Sequence, residues 1–360
     1  MNPASWQGRR VFVTGHTGFK GSWLSLWLQR MGAHVTGYAL APDPVSLFNL
    51  AGVSQGMDSH IGDVRDLPAL TAAMSAARPD VVLHLAAQAL VRESYATPIE
   101  TFAANVMGTA HVLEAVRATP SVRSVVVVTT DKCYENREWV WGYRETDALG
   151  GHDPYSASKA CAELVTAAWR NSFFATSGST MHPVVIATAR AGNVIGGGDF
   201  SKDRLLPDFV RAAQSDHALE IRHPSAVRPW QFVLEPLAGY LELADRAFNA
   251  DASVAQAWNF GPDASGARPV REVIESFAQH CAPHAPSQVI YGTPSPTLHE
   301  TTLLQLDTSK ARAHLQWRPV LEFNGTMAMT GAWYRGWLKG ADMRALTLQQ
   351  LDNYLTAVTE

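Results

Sequence analysis

Long hydrophobic runs, paired cysteines, internal repeats and an excess of either charge are all missing from this sequence. No stretch approaches the roughly 20 apolar residues that a bilayer-spanning helix needs, so a helical membrane protein is not expected. Met1–Arg10 is polar and the first apolar run opens a strand, so a secretory leader is not expected either. Cys133, Cys161 and Cys281 are an odd, widely spaced set without metal-ligand spacing. That pattern argues against a disulfide framework or a metal site and fits a reducing cytoplasm. The 29 Lys and Arg nearly balance the 33 Asp and Glu, for a formal charge of −4. Neither nucleic acid nor a membrane surface is therefore expected as a partner, although a local basic cluster can still serve a small phosphorylated ligand. With no low-complexity linker, the 360 residues suffice for one large core or two modest domains sharing a cleft.

What is present is a rhythm. Arg10–Thr14 (RVFVT), Ala33–Leu40, Asp80–Leu85 (DVVLHL), Ser124–Thr129 (SVVVVT) and Val184–Ala191 read as buried strands. Between them, Ser22–Met31, Asp66–Ala77, Pro98–Ala118 and Pro154–Phe173 read as helices. Continuous apolar strands alternating with helices predict an α/β, doubly wound parallel sheet of Rossmann type. Beyond Asn193 the rhythm breaks into proline- and glycine-rich segments, which predicts a smaller C-terminal substrate-binding lobe. The expected division assigns residues 1–192, completed by about 226–262, to the dinucleotide-binding domain. Residues 193–225 and 263–360 then form the lobe.

The first strand runs into Thr14-Gly15-His16-Thr17-Gly18-Phe19-Lys20-Gly21 and then a helix. Glycines let the chain turn tightly and let a pyrophosphate approach backbone N–H groups, while the helix N-terminus adds partial positive charge. This context makes Gly15 to Gly21, each residue included, a dinucleotide site. The acidic residue that usually ends the second strand is missing from Gly37-Tyr38-Ala39-Leu40, and so is any Arg or Lys that would favour a 2′-phosphate. NAD is expected over NADP, with Asp63 and Val64 after a further short strand reaching the adenine.

Tyr155 and Lys159 form a Tyr-x-x-x-Lys pair on one helix face. A phenol of ordinary pKa about 10 is a weak base near neutrality unless a cation favours its phenolate, and Lys159 supplies that field. Thr129-Thr130-Asp131-Lys132 follows a strand whose carboxyl end faces the ligand crevice. Thr130 suffices to orient a reacting hydroxyl. The acid and base beside it are surplus to simple hydride transfer, whereas elimination of water needs both. A 4-epimerase would have no use for Asp131 and Lys132, and a non-catalytic dinucleotide sensor would have no use for Tyr155 and Lys159.

With these motifs the chain resembles the nucleotide-sugar 4,6-dehydratases of the extended short-chain dehydrogenase/reductase superfamily over essentially its whole length. The segments carrying the resemblance are TGHTGFKGSWLSLWL (14–28), HLAAQALVRESY (84–95), TTDKCYEN (129–136), GGHDPYSASKACAE (150–163), RAGNVIGGGDF (190–200), RHPSAVRPWQFVLEPL (222–237) and HETTLLQLD (299–307). Asp131-Lys132 departs from the Asp-Glu of the dTDP-glucose branch. The 22 residues between Lys132 and Tyr155, His16 in the loop and the RPWQ segment favour the CDP-glucose branch.

The resemblance implies a CDP-D-glucose substrate, tightly bound NAD regenerated each turnover, and a place in deoxysugar and O-antigen precursor biosynthesis. It implies Thr130, Asp131, Lys132, Tyr155 and Lys159 as catalytic residues, with Lys132 or a water it holds as the C5 base. Leu85, Ala86, Ala87 and Asn105 join the cofactor contacts. Arg92, Ser94, Asn193, Arg204, Leu206, Arg228, His299 and Glu300 join the substrate contacts, with a solvated surface role left open for Arg204. Trp139 and Trp141 suit either a flap or packing. A homodimer is implied, through a four-helix bundle of helices near 98–118 and 154–173, with a dimer of dimers left open.

Overall fold

A computed structural model defines residues 3–174, 184–215, 217–263, 266–292 and 303–359. Its centre is a parallel sheet built from Arg10–Thr14 (β1), His34–Ala39 (β2), Asp58–Ile61 (β3), Val81–His84 (β4), Ser124–Val128 (β5) and Val185–Ala191 (β6). The short strands Val194–Ile195 (β7), Leu219–Ile221 (β8), Val227–Pro229 (β9) and Gln231–Phe232 (β10) follow, and Ala257–Phe260 (β11) then returns as the seventh strand of the main sheet. The order β11-β6-β5-β4-β1-β2-β3 reverses direction between β1 and β4. A crevice opens at such a reversal, beyond the carboxyl ends of the strands.

The valine runs fold this way because both sheet faces are covered. Val11, Val13, Val81, Leu83, Val126 and Val128 enter one apolar cluster, while Phe12, Val82, Val125 and Val127 enter the other. This is the two-residue alternation of a strand carried through a sheet buried on both sides. One face is lined by Phe19–Arg30 (α1), which buries Trp23 and Trp27. The other carries Leu67–Ala77 (α2), a helix over 98–117 and Pro154–Phe173 (α3). Asp66 caps α2 by accepting from Ala69 N, with Pro68 in the first turn, and Asp153 caps α3 by accepting from Ser156 N.

Two helices differ from their expected form. The first helix begins at Phe19, inside the glycine loop, and the helix over 98–117 is interrupted by a π-turn at Ala103–Met107. The lobe side comprises Leu205–Ser215, Val270–Cys281 and Phe323–Leu338, with β9 paired to Ala267–Pro269 (β12) and β8 to Val289–Tyr291 (β13). Phe209, Phe277, Trp333 and Tyr334 belong to the same apolar cluster as Val11, so lobe and sheet share one core. Glu235 joins the C-terminal segments to it, accepting from Val320 N at 3.0 Å, Leu321 N at 2.7 Å and Tyr354 Oη at 2.9 Å.

Candidate active site

A cavity of about 830 Å³ lies at the carboxyl ends of β1, β4, β5 and β6. At one end the glycine loop forms its wall. Gly15 has φ +77°, and a side chain there would meet the backbone of Ala86. A side chain at Gly21 would run into the carbonyl of Gly15, so the loop and first helical turn close only on glycine. Gly18, which starts α1, contributes no side-chain cap, leaving the N–H groups of the first turn for an anion. Thr17, Phe19, Asp63, Val64, Leu85, Ala86 and Ala87 line this end. Asp63 is paired with Arg65, Oδ2 to Nε at 2.9 Å, which holds its carboxylate below the usual range. The uncapped helix end and the glycine cradle fit a dinucleotide pyrophosphate.

His16 and Asn105 do not line the cavity. The His16 ring is buried behind the loop, edge-on to Phe48, with Nε2 2.7 Å from Ser59 Oγ. It fills the room left by Gly37, and burial pushes its pKa down to about 4. Asn105 instead receives the Gln88 N–H and donates to Ser158 Oγ at 2.9 Å, bracing the wall from behind. Ser94 is likewise a support: its Oγ accepts from Tyr155 N at 3.1 Å at the start of α3.

The cavity's centre gathers Thr130, Asp131, Lys132, Tyr155 and Lys159. Thr130, two residues beyond β5, caps a single 3₁₀ turn, Asp131–Cys133, accepting from Lys132 N at 3.3 Å and donating to Asp131 Oδ1 at 3.1 Å. Asp131 is buried and its Oδ2 has no protein partner; that oxygen lies where a side chain on Gly192 would sit. Burial raises its pKa, opposed by Lys132, Thr130, Arg228 and Lys20. The Tyr155 hydroxyl, hydrogen-bonded to Thr130, is pushed up to about 12 by burial. Lys159 donates to Val128 O at 3.1 Å, and burial pushes it down to about 8 against the pull of Glu163.

Lys20 lies deeper than a loop residue suggests. Its Nζ is 3.5 Å from Tyr240 Oη, and it is pushed down to about 7 by burial and by the charges of Arg204 and Lys159, with Asp131 opposing. It thus adds a third lysine to the cavity wall beside Lys132 and Lys159. Neither Gly192 nor this placement of Lys20 had a signal in the sequence, since both depend on chain crossings from distant segments.

On the far side, Asn193, Arg204, Leu206 and Arg228 line the cavity. Arg204 is paired with buried Asp199 at 3.2 Å rather than lying free in solvent. Arg92 is paired with Asp203 at 3.1 Å, and both line the cavity. Trp230, from the RPWQ segment, also lines this side, as do Asp199, Arg222 and His223, which were not anticipated. His299 and Glu300 lie outside the described residues. Trp139 packs on Tyr143 and Trp141, and neither tryptophan lines the cavity.

A glycine cradle and a Tyr-x-x-x-Lys pair around one crevice of a doubly wound parallel sheet place the protein among the extended short-chain dehydrogenases/reductases. Comparison with known proteins narrows this. The family model described as GDP-mannose 4,6 dehydratase matches residues 12–330. The chain is 48% identical over 355 residues to CDP-glucose 4,6-dehydratase of Salmonella typhimurium, covering 98% of each. Among solved structures, Epimerase Mth375 of Methanothermobacter thermautotrophicus superposes with a TM-score of 0.77 at 24% identity, covering 94% of this chain and 95% of that one. The dTDP-glucose 4,6-dehydratase of Bacillus anthracis, solved in complex with NAD, gives 0.74 at 20%, covering 91% and 96%. At those identities the structural likeness shows the fold alone. The chain belongs to the nucleotide-sugar 4,6-dehydratase family that the GDP-mannose 4,6-dehydratase model describes.

Proposed function

We propose that the protein converts CDP-D-glucose to CDP-4-keto-6-deoxy-D-glucose and water. The observation that carries this reading is the Thr130–Lys132 turn: a buried carboxyl with an unpartnered oxygen and a lysine share one cavity with Tyr155 and Lys159. NAD, held by Thr17 through Gly21, would supply reversible hydride chemistry for the oxidation at C4 and the reduction at C6. Tyr155 takes the proton of the C4 hydroxyl, Thr130 holds that oxygen, and the Lys159 ammonium favours the phenolate. The C4 ketone acidifies the C5 hydrogen, which Lys132 or a water it holds removes. Asp131 donates its proton to the departing C6 hydroxyl, which leaves as water, and a proton returns to C5. No net redox change occurs, so the cofactor is expected to stay bound between turnovers.

Arg204, Arg228 and Asn193 provide charge and donors for the substrate diphosphate, while Thr17 through Gly21 hold the cofactor pyrophosphate. The cytidine assignment rests on the Salmonella typhimurium relative, 48% identical over the whole chain. Turnover of CDP-glucose, dTDP-glucose, UDP-glucose and GDP-mannose should differ, with kcat/KM for the cytidine sugar at least ~100-fold highest. Equal or better turnover of another nucleotide would keep the chemistry and remove the cytidine.

The same reading places the protein in the cytoplasm; among the described residues no helix is long and apolar enough to cross a membrane. It also gives a homodimer. Ile99, Met107 and Leu164 are 76%, 51% and 59% exposed on the two helices that would form a four-helix bundle. Leu164→Arg should therefore halve the mass seen by light scattering, whereas an unchanged mass would move the interface elsewhere.

A further inference from the structure

Next to the catalytic turn lies a buried ion pair that the proposed chemistry does not use. Glu163 stands on α3 four residues after Lys159, so the two project from one helix face. Its Oε1 accepts from Thr129 Oγ1 at 2.5 Å, and its Oε2 accepts from Thr188 Oγ1 at 2.7 Å and Arg190 Nη2 at 2.9 Å. Arg190 Nη1 in turn donates to Tyr134 Oη at 2.8 Å and to the Glu145 carbonyl at 3.2 Å, and Tyr134 donates to Asn259 Oδ1 at 2.7 Å. One carboxylate thereby joins the end of β5, the middle of β6, the segment that follows Lys132 and, through Tyr134, the strand β11.

A buried ion pair is a poor device for stability alone, because well-packed apolar residues commonly do as well. Its placement suggests another use. Lys159 is faced by Lys20 from α1, His84 from β4 and Cys133 from the catalytic turn, with Tyr155 and Glu163 on its own helix. Glu163 is the anion in that set, and Thr129, which it holds, immediately precedes Thr130.

We propose that Glu163, anchored by Arg190, is a positioning residue that keeps Lys159 a cation and holds Thr129–Thr130 in register with the Tyr155–Lys159 pair. The inference rests on the reading of Tyr155 and Lys159 as the hydride-transfer pair. Burial already favours the neutral amine of Lys159. A carboxylate one turn away opposes it, so the ammonium survives at neutral pH and the phenolate of Tyr155 keeps its counter-charge.

The test is the pH profile of the first hydride transfer, followed in a single turnover of the NAD-loaded enzyme by nicotinamide absorbance. In the native protein the rate should fall as pH rises through the Lys159 pKa of about 8. In Glu163→Gln that fall should move down by about one pH unit or more, with KM little changed. Glu163→Asp, with its carboxylate withdrawn by one methylene, should shift it by only part of that amount. Because Glu163→Gln leaves Arg190 buried and unpaired, the double variant Glu163→Gln/Arg190→Gln is measured beside it, and thermal unfolding is recorded for each. A purely structural role would lower the melting temperature and the amplitude of the profile without moving its alkaline limb. An unmoved limb in a folded variant lacking the carboxylate therefore overturns the proposal. Lys159→Met separates the two levels of the argument. If it transfers hydride at the native rate, the underlying assignment fails. If it is inactive while the Glu163 variants keep the native limb, only the role of Glu163 fails.

Discussion

Lys132→Ala should stop the reaction between oxidation and elimination. The variant is expected to reduce its cofactor on adding substrate at a rate within about tenfold of native, yet to release the 4-keto-6-deoxy product at least ~10³-fold more slowly. The division follows from where the residues sit. In the proposed mechanism Tyr155, Thr130 and Lys159 serve the oxidation and are untouched by the change, whereas Lys132 lies on the 3₁₀ turn beyond Thr130. Exchange of the C5 hydrogen with deuterated solvent should vanish in the same variant. Persistent exchange would assign the base elsewhere, and a lost first step would mean that Lys132 shapes the whole cavity.

Asp131→Asn should produce a protein that is more stable and nearly inactive. Burial raises the Asp131 pKa, so the folded state holds this proton more tightly than the unfolded chain does. A group raised in this way supports folding below its unfolded pKa and loses that support as pH rises through its folded pKa. At neutral pH the native carboxyl is therefore a liability that a neutral amide removes. A gain in unfolding free energy is expected at pH 7, shrinking toward pH 4. Loss of the C6 proton donor should meanwhile slow dehydration by about 10²–10⁴-fold with the first hydride transfer retained. Denaturant melts at the two pH values, paired with product assays, check both halves. A destabilised but active variant would contradict both the protonation and the role.

The sheet was readable because each inner strand is an uninterrupted apolar run, and such runs have one comfortable place, between two covered faces. Ser124–Val128 and Val185–Ala191 fall inside their expected spans. The π-turn at Ala103–Met107 was not readable, since one extra backbone residue in a helix leaves no mark on composition or periodicity. In the site, residues tied to a strand end or a helix turn were placed by local rules: the Thr130–Lys132 turn and the Tyr155–Lys159 pair come together in one cavity. Residues whose direction depends on a distant glycine were not. His16 turns away because Gly37, on the neighbouring strand, opens a space for its ring. The unpartnered Asp131 oxygen has its room because position 192, at the end of β6, carries no side chain. Glu163 read as one more helix residue because its partners come from β5 and β6, whose register no local pattern specifies.

The most direct measurement follows a single atom. CDP-D-glucose carrying deuterium at C4 is incubated with the NAD-loaded protein in ordinary water, and the product is examined by mass and by NMR. Loss of one water and full retention of the label, now at C6 of a 4-keto-6-deoxy sugar, are expected. Label that remains at C4 in a product of unchanged mass would instead show epimerisation, leaving Asp131 and Lys132 without the roles given to them here.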